Sequence, residues 1–163
     1  MNQKSSITLT MLLGLVCTLI VASISQAADA QKPKGHYVSN SDFLGMYGKY
    51  SYETLTNKKF SDIVDIIKKA KPNFKVKDVG TSFPSTVFEF DDGGLYLILS
   101  GCTPHNCGDT VNVIAYDLGS ANKAYVLAEE QNQEFKIYGN PSEEVRNLLV
   151  YHHMKYCLNS GKS

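Results

Sequence analysis

Apolar positions Phe60, Ile63, Val64, Ile66, Ile67 and Ala70 recur at helical spacing. They predict a helix over 60–70 with one buried face, opened by Ser61 as its cap and stopped by Pro72. Beyond it the period changes to two. Thr86-Val87-Phe88-Glu89-Phe90 alternates as a strand, Asp91-Asp92-Gly93-Gly94 carries turn chemistry, and 95–100 returns antiparallel. A third strand over 110–116 is turned by Asp117-Leu118-Gly119-Ser120, and strands over 123–129 and 134–138 flank the polar residues 130–133. Gly139-Asn140-Pro141-Ser142-Glu143 starts a final helix, with Asn140 as cap and Pro141 at its first position. That helix puts Val145, Leu148, Leu149, His152 and Tyr156 on one face. The connections are too short for parallel crossovers. The expected fold is α+β: an antiparallel meander of about five strands, helices packed against one face, and a protruding loop between the second and third strands.

The remaining segments are less regular. Residues 28–40 are polar and broken by Pro33 and Gly35, and read as a loose tail. Phe43, Leu44, Met46, Tyr47, Tyr50 and Tyr52 form an aromatic-rich cluster of poor periodicity, whose ordinary role is packing on a core. Before them, Lys4, an apolar core from 11 to 24 and Ser25-Gln26-Ala27 have the order of a cleaved secretory signal. An uncleaved anchor is the alternative, since 7–24 approaches spanning length, but Thr8, Thr10 and Thr18 interrupt it. Removing 1–27 from the 163-residue chain leaves 136 residues, 28–163, enough for one domain with no stable membrane anchor.

Export places the cysteines in an oxidising compartment, where Cys102 and Cys107 are expected to pair and Cys157 is left over, buried or joining two copies as a homodimer. The stretch Cys102-Thr103-Pro104-His105-Asn106-Cys107-Gly108-Asp109 then becomes a small ring with His105 near its tip. Its four-residue spacing does not suit a redox pair. A metal site would need both thiolates, His105 and a fourth ligand from His152 or His153, which lack matched spacing; those two read as a core-edge and a solvent-facing histidine. No nucleophile elbow, zinc-protease helix or phosphate loop is present, which favours binding over an enzyme. No cofactor is implied. Charge adds a direction: ten lysines face five acids over 28–77, but five basic residues face eleven acids over 78–163. The ring lies in the acidic part, which suits a basic protein partner and not nucleic acid.

The ring sequence, set between two strands, resembles the Cys-Lys-Pro-His-Asp-Cys loop of the Ivy family, periplasmic inhibitors of vertebrate c-type lysozyme in Gram-negative bacteria. The resemblance runs over about 60–156 and includes Tyr138-Gly139-Asn140-Pro141-Ser142. It implies a periplasmic, non-enzymatic inhibitor whose loop plugs the lysozyme cleft, His105 meeting the two catalytic carboxylates and Thr103, Pro104, Asn106 and Asp109 forming the rim. Thr103 replaces the family's frequent Lys and Asn106 its frequent Asp, and Cys157 has no counterpart in that picture. Control of the cell's own lytic transglycosylases is an alternative within binding. An envelope protein whose ring is only structural is the alternative from another class.

Overall fold

A computed structural model describes residues 31–38, 48–107, 110–120, 122–130 and 134–157. The signal segment 1–27, the aromatic residues up to Tyr47, and Asp109 lie outside the described residues, as do the side chains of Tyr156 and Cys157. In chain order the elements are β1 (Gly35–Val38), α1 (Ser51–Thr56), a 3-10 turn (Lys58–Phe60), α2 (Ser61–Ala70), a second 3-10 turn (Val76–Val79), β2 (Thr81–Ser82), β3 (Thr86–Phe90), β4 (Leu95–Cys102), β5 (Val111–Asp117), β6 (Ala124–Glu130), β7 (Glu134–Tyr138), α3 (Glu143–His152) and a closing π turn (His153–Cys157).

The described strands form one antiparallel sheet in the order β1-β3-β4-β5-β6-β7, with β2 pairing the far end of β4. The antiparallel meander and α+β class expected from the alternation are observed. Two strands are additional. Residues 35–38, read as part of a loose tail, pair with β3, and a Cβ on Gly35 would overlap the Glu89 carbonyl, so glycine lets this edge strand approach. β2 is only two residues long, below what periodicity can detect.

The helices also differ from expectation in being shared between both faces. α2 packs with Leu55, Phe74, Val79, Leu97, Leu99, Ile114, Tyr116, Val126 and Ala128 in one core. α3 contacts β5 and β6 from the other side, where the alternate positions Ile98, Val113 and Leu127 are buried with Leu148 and Leu149. β5 is therefore buried without interruption from Val111 to Tyr116. Polar residues of these strands are buried as well, Ser100 on β4 and Asn112 on β5 among them.

Two caps shift as well. Ser61 does not cap α2: its hydroxyl faces Asp62, and Asn57 accepts from the Lys59 N–H to open the preceding 3-10 turn. Asn140 has φ +53 directly after Gly139 at φ +91, whereas an N-cap needs extended backbone. Ser142 takes the role, accepting from the Val145 N–H.

Candidate inhibitory loop

β4 and β5 are paired along their length and end together at Cys102 opposite Val111, so the connection leaves the sheet as a hairpin loop. Cys102 and Cys107 are joined by a disulfide with Cα atoms 5.0 Å apart. Both thiols are thereby taken, and no thiolate pair is left for the metal reading. Inside the ring the Asn106 N–H donates to the Thr103 carbonyl at 2.9 Å. With proline second and a positive φ of 64° at His105 third, residues 103–106 have the form of a type II turn.

That third position ordinarily takes glycine or asparagine. Histidine there costs about 1–2 kcal/mol relative to right-handed backbone, comparable to the about 0.5–1.5 kcal/mol that one turn hydrogen bond returns. The turn needs further support, and the structure supplies it on two sides. Thr110, half-buried just before β5, accepts from the Thr103 N–H at 3.3 Å and donates its hydroxyl to the Asn106 carbonyl at 2.9 Å. Pro104 packs on Gly80, where a Cβ would come 2.7 Å from its Cγ.

Gly80 is held in turn by buried polar bonds. Asn112 on β5 donates to the Asp78 carbonyl at 3.2 Å and accepts from the Lys71 ammonium at 3.1 Å, fixing the second 3-10 turn against the sheet. Ser51 at the start of α1 bridges two further segments, donating to the Phe83 carbonyl and accepting from the Ser100 N–H at 2.9 Å. β2 then pairs Thr81 with Cys102 and Ser82 with Gly101 at the root of the loop. A Cβ on Gly101 would come 2.7 Å from the Thr81 carbonyl, which is why only glycine permits that pairing.

His105, Pro104 and Cys107 are exposed on this base, while Thr103 and Asn106 are half-buried by the bonds that shape the turn. The ring candidates are thus brought together, except Asp109, which is not among the described residues. Exposed Lys75 and Lys77 belong to the segment on which Pro104 packs. The acidic bias read along the chain is therefore not a uniformly acidic surface beside the ring, and it gives no ground for choosing a basic partner. Tyr50 and Tyr52, from the aromatic cluster expected in the core, are the exposed large hydrophobic residues among those described. Tyr52 receives its place from β2, donating its N–H to the Ser82 hydroxyl at 3.2 Å.

The other two candidate histidines are elsewhere in chemistry as well as in position. His152, expected at the core edge, is only 2 % exposed, and His153, expected in solvent, only 4 %. His152 Nε2 and the Ser100 hydroxyl are 3.3 Å apart. Burial, reinforced by Lys155 and His153, pushes the His152 imidazole down to about 3 from its ordinary 6.5. Burial lowers His153 too, although Glu129 stands 3.8 Å from its Nε2. Both histidines are buried against the sheet, His152 beside Ser100 of β4 and His153 beside Glu129 of β6. Sequence reasoning expected the disulfide and named His105 and Pro104, which the structure places together in the turn; it missed Thr110, Gly80 and Ser51, whose contacts rest on pairings between distant segments.

The family model described as inhibitor of vertebrate lysozyme (Ivy) matches residues 62–150, the ring included. A curated Pseudomonas aeruginosa protein named inhibitor of vertebrate lysozyme is 31% identical over 84 residues, covering 44% of this chain and 54% of that protein. The chain thus spans about half the length of that relative.

Proposed function

This chain belongs to the Ivy family, and from that premise we propose that it is a periplasmic, non-enzymatic inhibitor of c-type lysozyme whose ring of 102–107 enters the enzyme cleft with His105 foremost. The observation that carries the reading is His105 itself, exposed and held at φ 64° at the tip of a closed, cross-braced turn. A side chain kept in a disfavoured backbone state on a rigid base is a feature of sites selected for presentation.

The target chemistry fits. A retaining glycosidase holds its two carboxyl groups about 5–5.5 Å apart, within reach of the two ring nitrogens of one imidazole. Each charge-assisted bond contributes about 1.5–3 kcal/mol, whereas nanomolar affinity needs about 12 kcal/mol. Thr103, Pro104 and Asn106 around the tip, with Asp109 next to the ring in sequence, provide contact for the remainder, and a turn ordered beforehand loses little entropy on docking.

The test is titration of the mature chain into c-type lysozyme and, in parallel, a lytic transglycosylase. Lysozyme should be inhibited, and His105→Ala should raise the inhibition constant by more than about tenfold with an unchanged thermal midpoint. Lys123→Ala, at the opposite end of the sheet, is the comparison and should inhibit as wild type. No inhibition by the wild-type chain, or equal effects of the two substitutions, would leave the ring as a structural staple.

A further inference from the structure

We propose that Thr110 is a positioning residue for the His105 turn, a second clasp that works independently of the disulfide and keeps the turn formed when the ring is reduced. This rests on the inhibitory reading of the ring, but its structural half stands on geometry alone. The four-residue turn presents two backbone groups at its ends that nothing inside the turn satisfies: the Thr103 N–H and the Asn106 carbonyl. Thr110 meets both. Its hydroxyl accepts from the Thr103 N–H at 3.3 Å and donates to the Asn106 carbonyl at 2.9 Å, and its own N–H donates to the same carbonyl at 3.1 Å.

The two closures differ in kind. The disulfide joins Cys102 to Cys107, the residues just outside the turn, and restrains the unfolded chain as well as the folded one. Thr110 grips both ends of the turn from the foot of β5, since the next residue, Val111, is paired with Cys102. Its bonds exist only in the folded state, so they hold His105 in its left-handed conformation whether or not the sulfurs are joined. Reduction alone should therefore loosen the ring without releasing the turn.

The experiment compares the mature wild type with Thr110→Val, which keeps the shape and removes the hydroxyl, and Thr110→Ser, which keeps the hydroxyl. Each is made with the native disulfide and in a Cys102→Ser/Cys107→Ser background. Amide hydrogen exchange at Thr103 and Asn106 reads the turn, exchange at Leu99 and Ile114 reads the sheet, and inhibition of c-type lysozyme reads presentation. Thr110→Val should speed exchange at Thr103 and Asn106 by about tenfold or more, the equivalent of a lost hydrogen bond, with Leu99 and Ile114 unchanged; Thr110→Ser should stay near wild type. Removing the cysteines should raise the inhibition constant by less than about tenfold when Thr110 is intact, and Thr110→Val should raise it by less than about threefold with the disulfide present but by a further tenfold or more without it, a coupling that additive contacts would not give. Wild-type exchange rates in Thr110→Val, or identical behaviour of the Val and Ser variants, would overturn the clasp. Should the exchange pattern appear in a chain that does not inhibit lysozyme, the clasp stands and the functional reading falls.

Discussion

Replacing His105 by glycine separates presentation from stability, because the two effects have opposite signs. At φ 64° the present side chain costs about 1–2 kcal/mol against ordinary backbone, and glycine removes that cost. It also loosens the unfolded chain by about 0.5–1 kcal/mol. His105→Gly should therefore be stabilised by between zero and about 1.5 kcal/mol. Loss of the imidazole removes at least one charge-assisted bond of about 1.5–3 kcal/mol, so the inhibition constant should rise about 10- to 150-fold. His105→Ala should lose the same inhibition without gaining stability, since alanine suffers the same left-handed cost. Denaturant unfolding gives the first quantity and inhibition titration the second. Wild-type inhibition by His105→Gly would refute the role of the imidazole, and a glycine variant less stable than the alanine one would refute the left-handed turn.

Two further expectations concern the base of the loop and the histidines beneath the sheet. Gly101→Ala forces a Cβ against the backbone of Thr81, Ser82 and Val79, and should lower the unfolding free energy by about 1–3 kcal/mol; an unchanged denaturant midpoint would mean that β2 does not hold the root of the ring. His152 stays neutral in the folded chain down to about pH 3, whereas in the unfolded chain it takes up a proton below about 6.5. Stability from this residue is therefore full above pH 6.5 and falls with pH, by about 2–3 kcal/mol at pH 4.5, while His153, shifted the same way beside Glu129, adds to the slope. His152→Leu should flatten the profile over that window, and parallel profiles for the two proteins would count against it.

The strands that could be read in the sequence were those with turn chemistry on both sides: the Asp92-Gly93 turn and the Asp117 carboxylate, which accepts from the Gly119 and Ser120 N–H groups, mark their ends wherever the chain folds. What escaped detection depended on partners far along the chain. Ser100 and Glu129 on one face and Asn112 on the other look like solvent-facing polar positions, and nothing local reveals that His152, His153 and Lys71 meet them. Those pairings are what allow helices on both faces, so the single-face expectation and the misplacing of two histidines have one cause. The caps failed more locally: a 3-10 turn ahead of α2 takes the place of a Ser61 cap, and the left-handed Asn140 ahead of α3 passes the capping role to Ser142.

The loop shows the same division between local and distant determinants at the scale of single residues. Pro104 announces a turn, but the residue after it argues against the turn that forms, because a type II turn wants glycine where His105 stands. A sequence that violates its own turn preference must be held by something outside the turn. Here those supports are Gly80 beneath the proline, Thr110 across the ends, and the disulfide around them. Each is inexpensive for the fold, since Gly80 and Thr110 lie at element ends where the backbone is already fixed by the 3-10 turn and β5. The mismatch between His105 and its backbone is thus the most informative local feature of the chain: a structural staple would be served as well by glycine, so this mismatch is the feature on which the proposed presentation of the imidazole rests.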